Sequence, residues 1–439
     1  MKKILLAVST VILSLGVEAQ NSTNSPYSRY GYGQLAGRSN GATKAMNGLS
    51  KGWREGNQVN FANPASYSGI DSLTFLFDAG VSGQITSFQE GNRKLNAKNG
   101  GFDYFMGAFR LMKHVGIAFG AVPYSNIGYD YKKVINIGNV PSTGNSARTS
   151  TVEYSGKGGL QQAFIGIGVE PLRLKNTSLS LGVNASYFWG NYTKGIINTF
   201  NKKSVTTTSR LYEYDTKAFT FDFGAQLQQK FGKYDKLTLG ATFAMKQKLS
   251  GDPKFLAISR NTQTGVADTT LVVANGSHSL PMTIGAGLVW NHADRIKVGF
   301  DYELQKWSDI EYPVYAVVNN KAQYQMTKGL FTDRTKYTFG GEYCHNRNAR
   351  SWASRVRYRA GVSYASPYLK INGNEGPKEI SASFGVGLPI TNGYNNRSYL
   401  NVSAQWIQQN AKGLIKENTF CINIGLTFNE RWFAKWQVD

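Results

Sequence analysis

The sequence predicts an all-β protein: a transmembrane antiparallel β-barrel of about fourteen strands whose N-terminal segment enters the lumen as a plug. Three observations predict it. An export leader opens the chain, the rest alternates apolar and polar residues with a period of two, and the polar faces carry paired charges and small residues.

The chain begins MKKILLAVSTVILSLGVEAQ. Lys2 and Lys3 form a basic start, Ile4 to Leu15 an apolar core, and Val17-Glu18-Ala19 a small-residue cleavage site, so residues 1–19 read as a signal peptide. With no Cys after the cleavage point a lipid anchor is not expected, and nowhere else does an apolar run reach the ~18 residues of a spanning helix. An exported chain with 48 Gly, 25 Tyr and 24 Phe is therefore a secreted β protein or an outer-membrane barrel. Its 2 cysteines, Cys344 and Cys421, make a poor disulfide framework and read as unpaired strand residues. The formal charge of +22 would suggest nucleic acid in a cytosolic protein. After export it reads instead as a basic lumen and loops facing anionic lipid and lipopolysaccharide phosphates.

Alternation is clear in Leu179, Leu181, Val183, Ala185, Tyr187 and Trp189, with Ser180, Gly182, Asn184 and Ser186 between them. It returns at Phe219–Leu227, Leu237–Met245, Leu280–Trp290, Ile296–Leu304, Val356–Tyr364, Leu400–Trp406 and Phe420–Phe428. Strands are expected at 73–87, 101–112, 115–131, 158–170, 177–194, 209–231, 236–250, 277–290, 295–310, 333–345, 352–367, 378–390, 398–410 and 417–428. Most reach the ~9–11 residues needed to cross a bilayer, and an even total suits an antiparallel bacterial barrel.

The alternate faces decide which side meets lipid. Arg355, Arg357 and Arg359 share one face of their strand, Asp301, Glu303 and Gln305 one face of another, and Arg334, Lys336 and Glu342 a third. Such charges belong in a crowded polar lumen, where the arginines are expected to pair with Asp301 and Glu303 and fill the interior, so the apolar rows face hydrocarbon. An arginine fork could also hold an anionic head group. Short turns at Met112–His114, Leu172–Asn176, Gly232–Asp235, Asn291–Asp294, Asn346–Arg350 and Thr391–Arg397 alternate with longer loops such as Val134–Lys157 and Glu311–Thr332. That asymmetry places the short turns and both termini in the periplasm.

Residues 20–72 precede the first strand and contain VNFANPASYSGI, Val59–Ile70. Pro64 fixes its own φ and pushes Asn63 out of the α region, while small Ala62, Ala65 and Ser66 permit close approach to a wall. Read alone, this is a plug bend or an ordinary loop turn. In strand three, Gly120-Ala121-Val122-Pro123 combines two residues that weaken a ladder, so a kink or bulge is expected.

These stretches together resemble the FadL-like outer-membrane barrels that carry long-chain fatty acids. Asn63-Pro64-Ala65 resembles that family's hatch signature. SLPMTIGAGLVWNHADRIKVGFDYELQKWSD resembles its Pro-led strand, short turn and Trp-terminated strand, with Pro281 and Trp307 in matching places, and RVRYRAGVSYASPYL its later Arg-Ala-Gly strand ending at Pro367. The likeness spans most of the mature chain. It implies a hatch over 20–72, a barrel over 73–428, a periplasmic tail over 429–439, and a lateral opening at Gly120 and Pro123 through which an apolar substrate would pass into the bilayer. The expected function is then passive uptake of hydrophobic, fatty-acid-like molecules.

Both ends depart from the transporters. NSTNSPYSRYGYGQL resembles the start of many Bacteroidota outer-membrane proteins, and Trp432, Phe433 and Trp436 could form a short interfacial helix. The alternative is thus a non-transporting barrel of the same fold, serving as a subunit of a secretion or outer-membrane assembly complex with outer-membrane protein partners. No enzyme is expected: His114, His278, His292 and His345 lack metal spacing, Gly31–Ala36 follows no strand, and His278-Ser279 has no orienting partner. Neither a metal nor a cofactor is implied, and nucleic acid is not an expected partner.

Overall fold

The computed structural model describes residues 23–138, 148–200, 207–273, 278–318, 321–390 and 398–431. The signal peptide, the Thr391–Arg397 turn and the Trp432–Trp436 segment lie outside the described residues. Fourteen strands form one closed sheet: β1 (Thr74–Glu90), β2 (Arg93–Met112), β3 (Val115–Gly138), β4 (Arg148–Arg173), β5 (Thr177–Phe200), β6 (Thr207–Phe231), β7 (Asp235–Ala244), β8 (Thr283–His292), β9 (Ile296–Gln305), β10 (Arg334–Cys344), β11 (Arg357–Ala365), β12 (Lys378–Ile390), β13 (Ser398–Asn410) and β14 (Lys416–Arg431). Each strand pairs antiparallel with the next, and β14 closes on β1 from Thr74↔Arg431 to Gln89↔Lys416.

Period two sets the two surfaces, as alternation requires. On β6, Phe219, Phe221 and Phe223 point outward and exposed, while Ala218, Thr220 and Asp222 are buried inside. The same division holds for Tyr358 and Val362 against Arg357, Arg359 and Ser363 on β11, and for Phe420, Ile422 and Ile424 against Cys421 and Asn423 on β14. A closed sheet with an outward apolar belt leaves no unpaired edge in hydrocarbon. This is the construction of an outer-membrane protein.

Several expected elements change. The segment Val134–Lys157 is mostly wall rather than loop, because β3 and β4 continue to Gly138 and back from Arg148. The loop Glu311–Thr332 contains a hairpin, Tyr312–Val318 with Lys321–Thr327. Strand β7 stops at Ala244 rather than 250: past Met245 the alternation changes phase and Leu249 turns inward, buried. Strand β8 starts at Thr283 rather than 277, since Pro281 has no N–H for the ladder. Arg355 lies in a 3-10 turn, Ala353–Arg355, before β11, not in the strand itself.

Strands β3 to β6, 24, 26, 24 and 25 residues long, exceed the ~9–11 residues that cross a bilayer. They rise as a wall on the long-loop side, extended by a hairpin, Lys254–Arg260 with Ala267–Val273, paired to the far end of β6.

Charge on the outward belt tests this assignment. Phe384→Arg on β12 is expected to destabilise the folded protein in vesicles by about 2–4 kcal/mol. Val266→Arg, at the exposed outer hairpin, is expected to leave the same urea titration unchanged.

Candidate functional site

The lumen holds the N-terminal segment, and most side chains from Asn40 to Ile70 are buried against the inner wall. A short helix, Gly41–Lys44, is capped by Asn40, whose side chain accepts from Thr43 N while the Thr43 hydroxyl takes the Asn40 N–H. Asn63 caps the 3-10 turn Pro64–Gly69. Its Nδ2 donates to Lys51 O at 2.7 Å and reaches Ala225 O at 3.3 Å and Ala241 O at 3.5 Å on β6 and β7. The Asn63-Pro64-Ala65 bend is thereby fastened to the wall and to the plug's own Lys51.

The wall makes a seat for that bend. Gly116, Gly168, Gly182 and Gly224 stand directly opposite one another on β3, β4, β5 and β6. A Cβ on these glycines would strike the Tyr67 carbonyl, the Pro64 carbonyl and backbone, or the Asn63 side chain. Glycine is required here for close approach of two backbones.

Ion pairs fix the plug around the ring. Arg38 meets Asp222 at 2.6 Å, Lys44 meets Asp103 at 2.7 Å, Lys51 meets Glu303 at 2.6 Å and Arg54 meets Glu170 at 2.8 Å. Glu55 contacts Lys297 and Arg347. Asp301 Oδ2 accepts from the backbone N–H groups of Ser50 and Lys51 at 2.6 and 2.9 Å. The expected pairing of the arginines with Asp301 and Glu303 is therefore replaced: those two carboxylates hold the plug, while Arg357 and Arg359 turn to Glu342. Sequence reasoning had no way to place the plug's lysines, which compete for the same acids. Arg355 is buried as well, beyond the short-turn end of β11.

At β3 the wall forks. Its pairing with β2 runs from Met112↔Val115 to Phe105↔Ala121 and goes no further. Beyond that rung β4 is the barrel strand that β3 still pairs with, with a bulge between Pro123 and Ser125. Gly120 is thus in the last closed rungs and Pro123 just past the parting. The plug occupies the gap: Gln34 and Leu35 pair with Asn126 and Ser125, Ala36 N donates to Tyr124 O at 2.9 Å, and Gly128 N donates to Ser28 Oγ at 3.1 Å.

Above the plug an aromatic cluster joins Tyr32, Trp307, Tyr312, Phe331 and Tyr368. Tyr32 OH donates to Ser279 O at 2.7 Å and accepts from Ser279 N at 3.0 Å. His278 is fully buried, its Nε2 3.1 Å from the Tyr192 and Tyr212 hydroxyls. Beside this cluster opens a cavity of ≈ 300 Å³ lined by Arg29, Lys194, Phe255, Tyr312, Tyr315 and Phe331 among others. A second void, ≈ 10 Å³, lies by Arg38 and Asp222. Among the described residues no His/Cys/Asp/Glu group could hold a metal.

The closed fourteen-strand barrel has a FadL-type fold. Solved structures share it: the Pseudomonas putida toluene transporter TodX (14% identity, TM-score 0.59, 92% of this chain and 100% of that one), the Ralstonia pickettii toluene transporter TbuX (14%, 0.56, 91% and 99%) and a Pseudomonas aeruginosa FadL homologue (14%, 0.55, 90% and 98%). A search of curated proteins finds no match. The chain belongs to the BamG family, whose profile matches residues 1–439.

Lys51→Met is expected to remove the ion pair from the partly buried Glu303, which keeps its hydrogen bond from Gln305, weakening the plug's attachment by about 1.5–3 kcal/mol. Faster hydrogen exchange over 23–73 with unchanged barrel protection measures it, and adding Glu303→Gln should restore part of the loss. At His278, burial and the Lys194 charge push the ring pKa well below its ordinary value. The folded ring binds its proton less tightly than the unfolded one, so the stability it contributes is present above pH ~6.5 and declines below it. Protease cleavage of the 278–332 region should accelerate between pH 7.5 and pH 5.5, and less so in His278→Gln.

Proposed function

We propose that this protein is an outer-membrane barrel with a shut lumen that acts through its surfaces, as a subunit of a secretion or outer-membrane assembly complex. The observation that carries this reading is the interlocked plug. Five of its charged residues, Arg38, Lys44, Lys51, Arg54 and Glu55, are matched by partners on strands from β2 to β9. Opening a passage would have to separate these largely buried ion pairs together, which opposes movement of the plug. The tall β3–β6 wall and its outer hairpin add contact surface that a bilayer crossing does not require.

A second reading is favoured by a different observation, the fork between β2 and β3 closed by only the short plug strand Gln34–Leu35. In this reading a hydrophobic molecule enters the aromatic cavity and leaves sideways between the two strands. Its physical merit is that an apolar solute stays out of water along such a route. The neighbours described as toluene transporters lend it weight.

Purification in mild detergent followed by mass spectrometry separates the two. A stoichiometric protein partner is expected, with no uptake of hydrophobic solutes by vesicles holding the barrel alone. Uptake that stops on oxidation of a Leu35→Cys/Ser125→Cys pair and returns on reduction would reverse the order of the two readings.

A further inference from the structure

The short-turn end of the lumen carries more positive charge than its acids can match. Two buried carboxylates, Glu55 and Glu342, face Lys297, Arg347, Arg357 and Arg359. Arg347 takes both acids, at 2.8 and 3.0 Å, and Arg359 Nε donates to Glu342 Oε2 at 2.8 Å. Arg357 stays 3.5 and 3.6 Å from them, and its guanidinium lies 4.4 Å from the Tyr399 ring centre. Arg355, in the turn before β11, is buried as well. A third buried carboxylate, Asp78, faces Arg359 and accepts hydrogen bonds from Tyr104 and Asn40, while Asp294 is paired with Lys236.

Arginine does not relieve this excess by losing a proton, because its pKa lies above ~12. Four cations, Lys297, Arg347, Arg357 and Arg359, thus face three carboxylates, Glu55, Glu342 and Asp78. Buried N–H groups are also left over: Nε and Nη1 of Arg357, Nη2 of Arg359 and Nε of Arg355 have no hydrogen-bond acceptor. Arg357 and Arg359 are 3% and 1% exposed. A buried charged donor without an acceptor is strongly unfavourable, and compact anions suit such forks.

We propose that the short-turn end of the lumen binds a compact anion, a halide or an inorganic oxyanion, seated at Arg357 and Arg359. The anion completes the charge balance beneath the plug, and through Glu55 it couples to the plug's position. It reaches the site from the short-turn side beside Arg347, the one partly exposed member of the group.

The test follows thermal unfolding of the full chain in detergent at constant ionic strength, with gluconate replaced stepwise by chloride, bromide or phosphate. A saturable rise in Tm is expected in at least one arm: the halide arms identify a halide, the phosphate arm an oxyanion. Arg357→Met should abolish the rise. Asn401→Asp places a carboxylate where Asn401 Oδ1 now accepts from Arg359 Nη1 at 2.7 Å. That variant should be more stable in gluconate and lose the anion response, and it keeps the test decisive if Arg357→Met does not fold. Equal Tm values in all four anions, or an undiminished response in Asn401→Asp, would overturn the proposal.

Discussion

The structure depends on one constraint: a polar plug inside a closed barrel is largely withdrawn from water, so most of the charges it brings are met by opposite charges on the wall. Unpaired ions in such a setting are prohibitive, while paired ones fix position. Arg38, Lys44, Lys51, Arg54 and Glu55 satisfy the condition at intervals around the ring, and their partners come from strands far apart in sequence. The plug's register against the barrel is thereby specified by these pairs together with apolar contacts such as Phe61 stacked on Phe164.

Geometry has to allow those pairs, and the cross-strand glycines do so. By removing four side chains in one row, Gly116, Gly168, Gly182 and Gly224 let the Pro64–Tyr67 turn lie on the sheet itself. Asn63 then reaches strand carbonyls that a wall with side chains would hold away. The Asn-Pro-Ala bend and the glycine row are two halves of one fit.

The fork at β3 shows the same economy of partners. A bulge at Tyr124 leaves backbone groups that β2 does not reach, and Ala36, Leu35 and Gln34 supply the missing ladder. Buried backbone polar groups need such partners. Plug and wall therefore complete one another at the ion pairs, the glycine row and the fork.

The sequence by itself determined the barrel. Period-two rows such as Phe219, Phe221 and Phe223 have one physical use once the chain is exported and the opposite face is charged, and the strand total follows from their spacing. Boundaries failed where the alternation changed phase, at Leu249, or where β structure continued through polar residues, as between Val134 and Lys157. The glycines were visible as small inward residues, yet their alignment across four strands depends on register, which no single strand encodes. Tertiary structure alone decided which acids the arginines meet. Charge partners in a lumen are set by what the plug brings within ~4 Å, and Asp301 and Glu303 were taken by Ser50 and Lys51, leaving Arg357 and Arg359 to Glu342.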